Sequence, residues 1–105
     1  MSRPERLLGV ARAAALAELP DWADVPGRDA IRRELRFRDF AEAFGVMAEI
    51  ALVAERLNHH PEWTNVYSRL AVTLTTHDAG GLTALDVELA RAVDRAAARR
   101  SGESA

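Results

Sequence analysis

At 105 residues, with 49% hydrophobic and 29% charged side chains, the chain has the size and composition of one soluble domain with a single core. A formal net charge of -2 gives no global attraction to nucleic acid, and no run is apolar enough to span a membrane or to serve as a signal peptide. The absence of cysteine excludes disulfides, thiolate nucleophiles and Cys-based zinc sites, and suits the cytoplasm; the absence of lysine excludes Schiff-base chemistry.

The first periodic segment covers 6–19, where Leu7, Val10, Ala11, Ala14, Ala15 and Leu19 recur at three- and four-residue steps until Pro20 stops the helix. Two prolines and a glycine around Trp22 make 20–27 a turn with room for a short strand. Residues 28–37 alternate, Ile31, Leu35 and Phe37 against Arg32, Glu34 and Arg36, which predicts a half-buried strand. Asp39, with Glu42 three residues on, forms a capping-box pattern opening a second helix. Its expected apolar stripe is Phe40, Phe44, Met47, Ile50, Ala51, Ala54 and Leu57, read as core or subunit interface, and Pro61 requires an end near Asn58.

Residues 66–76 alternate again, with Val66, Leu70, Val72 and Leu74 on one side, until Gly80 and Gly81 break the strand. Thr83 caps a last helix with Asp86 at its third position and Leu85, Leu89, Val93 and Ala96 as its stripe. The expectation is a single α+β domain over 1–105, an antiparallel sheet with helices on one face, frayed at about 1–5 and 101–105.

All three histidines fall between Glu55 and Asp86, and histidine is the side chain that changes charge nearest neutrality. Glu55 and His59, four apart, would share a helical face, so the carboxylate could orient the imidazole. Pro61 turns His60 another way, His77 ends the long strand, and Asp86 sits in a helical first turn where the dipole favours its ionised form. Such a set suits general acid–base catalysis without a covalent intermediate. The same ligands could hold zinc, although adjacent histidines rarely face one metal; a solvated helix position competes for Glu55, capping for Asp86, and packing for Trp22 and Trp63.

The pattern Glu-x3-His-His-Pro, five residues, Tyr, nine residues, His, eight residues, Asp resembles the signature of pterin-4a-carbinolamine dehydratases at every fixed position: Glu55, His59, His60, Pro61, Tyr67, His77 and Asp86. The resemblance runs from Trp22 to the last helix and departs at Asn58, where some members carry Asp. It implies a four-stranded antiparallel sheet with three helices packed on one face, and removal of water from 4a-hydroxytetrahydrobiopterin to give quinonoid dihydropterin. It further implies no cofactor or metal, a homodimer or homotetramer, and a link to an aromatic amino-acid hydroxylase. His59 and His77 would be the acids, His60 would orient the pterin, and Glu55 would bind it or tune a histidine. Pro61, Trp22, Trp63 and Asp86 would bind substrate or support those groups. A non-catalytic dimeric protein-binding scaffold of the same fold is the competing reading, and a zinc-dependent hydrolase a third.

Overall fold

A computed structural model describes residues 4–100 and the backbone of 103–104; the expected fraying at 1–3, 101–102 and 105 lies outside the described residues. The first helix, α1 (Gly9–Ala17), starts later than its periodicity suggests, because residues 4–8 are not helical: Leu8 is extended and Leu7 N–H donates to Leu82 O at 2.7 Å. Its expected stripe is also corrected: Val10 is 87% exposed, and only Leu7, Ala15, Leu16 and Leu19 reach the core. Alanines offer this helix little area to bury. Ion pairs hold it instead, Arg6 and Arg12 meeting the two oxygens of Asp29 at 2.9 and 3.0 Å.

Burial opposes ionisation of Asp29, but hydrogen bonds from Arg6 and Arg12 and the charge of Arg12 outweigh it, so its carboxyl titrates below the ordinary 3.8. A depressed folded value adds stability above the unfolded value and loses it as pH falls through the folded one. We therefore expect the denaturation midpoint to fall more steeply with acidification below the ordinary aspartate range in wild type than in Asp29→Asn, measured by urea titrations at stepped pH. Parallel curves would exclude this linkage.

The short strand β1 (Ala23–Asp24) pairs antiparallel with β2 (Ile31–Arg36). On β2 the inward positions are Ile31, Arg33 and Leu35, so a cation shares the buried face. It is tolerated because Arg33 donates to Asp94, which also accepts the indole N–H of Trp22 at 2.9 Å.

Asp39 Oδ1 accepts Glu42 N–H at 2.8 Å to open α2 (Phe40–Leu57), and Glu42 Oε1 accepts Arg38 N–H at 2.9 Å. The buried stripe is Ala43, Val46, Ile50 and Ala54, whereas Phe40 and Phe44 stand 48% and 57% exposed with ring centroids 5.9 Å apart. Apolar residues occur on both sides of this helix, so periodicity alone could not choose between them.

Where one strand was expected over 66–76, the chain makes a hairpin of β3 (Glu62–Val66) and β4 (Arg69–Leu74), with Val66 paired to Arg69. No glycine marks this turn; Tyr67 adopts φ +52 itself. The Asn65 amide steadies it by donating to Tyr67 O and Arg69 O at 3.1 and 2.8 Å.

A single 3-10 turn (His77–Ala79) follows, then α3 (Ala84–Ala98) and a backbone pairing of β5 (Glu103–Ser104) with β2. The four antiparallel strands lie in the order β1-β2-β4-β3, and β5 continues the β2 edge beyond β1. Helices α2 and α3 pack on each other and on β4. Between them the core gathers Ile31, Leu35, Val46, Ile50, Val72 and Leu89. The α+β architecture is as expected.

Candidate active site

Helix α2 ends in a Schellman arrangement. Asn58 takes the left-handed conformation at φ 51, its N–H bonds Glu55 O at 3.1 Å, and His59 N–H bonds Ala54 O at 3.0 Å. Asn tolerates that conformation better than most residues, which gives a backbone reason for Asn at this position. The turn carries His59 off the helical face and inward, leaving the residue 8% exposed. Its Nε2–H donates to Asp86 Oδ1 at 2.6 Å.

Asp86 is fully buried in the first turn of α3. Its Oδ2 accepts Thr83 N–H at 2.9 Å, completing a capping box, and the Thr76 hydroxyl at 2.7 Å. Thr76 and Thr83 hydroxyls lie 2.8 Å apart, and Thr83 Oγ1 accepts Leu85 N–H at 3.2 Å. With the Thr76 proton used on Asp86, the Thr83 proton must point to Thr76. Every bond in the cluster thus runs toward the carboxylate. Nε2 of His59 is fixed as the donor, and Nδ1 is the ring nitrogen left for a ligand.

The expected Glu55–His59 pairing does not occur, because His59 has left the helix. Glu55 Oε1 instead meets His60 Nε2 at 2.6 Å in an exposed pair. His77 lies at the start of the 3-10 turn, exposed, with Gly80 in the left-handed conformation at φ 77 closing that turn. His59, His60 and His77 line one cavity of about 580 Å³, bordered also by Arg56, Asn58 and Thr76. Glu62 stands on its rim, where two hydrogen bonds from Arg28, at 3.0 and 2.8 Å, hold its carboxyl below the usual range. Glu62 is therefore a poor proton donor. Among the described residues no group of three or more His, Asp or Glu side chains is placed to hold a metal ion.

The family model described as Pterin 4 alpha carbinolamine dehydratase matches residues 6–96. The chain belongs to that family. A relative from Bradyrhizobium sp. (strain ORS 278), named as a pterin-4-alpha-carbinolamine dehydratase, is 59% identical over 98 residues, covering 93% of this chain and 98% of its own. One from Burkholderia cenocepacia (strain HI2424), named likewise, is 58% identical over 93 residues, covering 89% and 91%. The crystal structure of a transcriptional coactivator/pterin dehydratase from Brucella melitensis superposes with a TM-score of 0.85 at 48% identity, covering 88% of this chain and 98% of that one.

Not every residue singled out by the family signature reaches the cavity. Trp22, expected to bind substrate or support the acids, joins the core with its indole N–H on Asp94 and does not line the histidine cavity. Trp63 packs on the core from the inward face of β3, and Pro61 extends the backbone between His60 and that strand without lining the cavity. Thr76 was missed, although a signal existed: the alternation Leu70, Val72, Leu74 continued by two residues places it inward. Arg33 was missed in the same way, between Ile31 and Leu35.

Proposed function

We propose that this protein dehydrates 4a-hydroxytetrahydrobiopterin, or a pterin close to it, to quinonoid dihydropterin by metal-free general acid–base catalysis. The reading is carried by the meeting of three histidines on one cavity, one of them gripped by a buried carboxylate. It draws further support from the family and from the names of the relatives. An imidazolium donates a proton to the 4a-hydroxyl, the carbon–oxygen bond breaks, and water leaves. The neighbouring ring nitrogen supplies the electron pair that forms the new double bond. Loss of a ring N–H proton then gives the neutral product, so protons balance over the cycle.

In this reading His59 and His77 are the acids. His60, held by Glu55, orients the pterin ring from the exposed side. Asp86 orients His59. No step calls for a Lewis acid, because the substrate nitrogen already activates the departing hydroxyl. We place the reaction in the cytoplasm, within pterin recycling for an aromatic amino-acid hydroxylase. A homodimer or homotetramer would cover the exposed Phe40 and Phe44 on α2.

The test follows freshly generated 4a-hydroxytetrahydropterin by ultraviolet absorbance with chelator-treated protein. Acceleration that survives chelation is the expected result. A rate no faster than the spontaneous one would favour the non-catalytic scaffold, and loss of activity on chelation would favour a metal enzyme.

A further inference from the structure

We propose that Thr76 is a positioning residue that sets both acids at once, its hydroxyl fixing the carboxylate behind His59 while its backbone closes the turn that carries His77. The proposal rests on the dehydratase reading for its kinetic arm only. Thr76 is 6% exposed and borders the histidine cavity. On one side its hydroxyl reaches Asp86 Oδ2 at 2.7 Å. On the other its N–H donates to Gly81 O at 3.0 Å, and its carbonyl accepts from Ala79 N–H and Gly81 N–H at 3.1 and 3.3 Å. Those three backbone bonds span the whole 3-10 turn that begins at His77.

The hydroxyl matters for a reason of direction. Asp86 has one oxygen for His59 and one for the Thr76 and Thr83 donors. Removing the Thr76 proton leaves Oδ2 with the Thr83 amide alone, so the carboxylate is held by one donor at each oxygen and can tilt about the line joining them. The angle at which Oδ1 meets His59 Nε2–H would relax, and with it the preference for the Nε2–H tautomer. A buried threonine that only fills space would do none of this.

Thr76→Val keeps the shape and the backbone bonds but not the donor; Thr76→Ser restores the donor. We expect kcat to fall about tenfold in the valine variant with KM changed less than about twofold, and serine to return kcat to within about threefold of wild type. The acid limb of the kcat–pH profile should shift in the valine variant and not in the serine one. Independently of turnover, nitrogen-15 histidine NMR should show His59 as a single Nε2–H tautomer in wild type and serine variants, and as a mixture in the valine variant. An unchanged His59 spectrum in a folded valine variant would overturn the proposal. If circular dichroism shows that valine does not fold, Thr76→Cys takes its place, since a thiol is a weak donor of similar size. Its retention of the wild-type His59 tautomer would be equally fatal. If wild type fails to accelerate dehydration, the dehydratase reading falls while the NMR arm still decides on Thr76.

Discussion

Asp86→Asn is expected to reduce turnover by on the order of 10²- to 10⁴-fold while preserving the fold, because an amide at this position reverses the hydrogen-bond logic of the site. The amide oxygen can serve Thr83 N–H and the Thr76 hydroxyl, which leaves the NH2 group facing His59 Nε2. That nitrogen must then accept, the ring proton moves to Nδ1, and a neutral N–H replaces the imidazolium as the group facing substrate. The buried site offers no solvent to relieve the mismatch, so a loss of about 1–3 kcal/mol in stability should accompany it. Turnover measured beside urea denaturation separates the two effects. Near-normal kcat in a folded Asp86→Asn protein would remove His59 from the acid role.

His77→Ala should show the opposite balance. His77 is exposed on a one-turn 3-10 segment, and among the described residues its side chain has no hydrogen-bond partner. Its removal should change stability by no more than about 0.5 kcal/mol, as for surface positions generally. Turnover should nevertheless fall by about 10²- to 10³-fold if the imidazole delivers a proton to the departing hydroxyl. Partial rescue by added imidazole would support loss of a proton donor rather than a distorted turn. A His77→Ala enzyme with wild-type kcat would leave His59 as the sole acid.

The helices and the central strand were legible because each carried its own punctuation. Asp39 and Thr83 open α2 and α3 with caps that the structure retains, and Pro20 follows the first helix. The β3–β4 hairpin was not legible, since its reversal falls on Tyr67 and Ser68, with Tyr67 taking the positive φ that glycine usually supplies and the Asn65 amide bracing the turn. Periodicity could not divide the α2 stripe between core and exposed positions, because Phe40 and Phe44 are as apolar as the residues that are buried.

At the site, three of the signature residues, His59, His60 and His77, line one cavity, yet spacing misassigned the partner of His59. A four-residue step implies a shared face only while the helix lasts, and Asn58 ends it one residue before His59. The Asp86–His59 contact joins elements 27 residues apart, and no local pattern encodes it. Trp22 was drawn to the site by resemblance, whereas its indole N–H is held at Asp94, outside the cavity.

The row of donors behind His59 has a further consequence for how the enzyme would be recharged. From Asp86 it passes through two threonine hydroxyls and stops at the peptide N–H of Leu85, a group with no labile proton to contribute at ordinary pH. The interior is therefore a cul-de-sac for protons, able to hold the imidazole in place but not to refill it. In the proposed mechanism, each proton spent on a departing hydroxyl would have to return through the open side, either from bulk water or from the pterin itself as it sheds its own. Rim residues that slow that exchange would govern turnover without ever touching the bond that breaks.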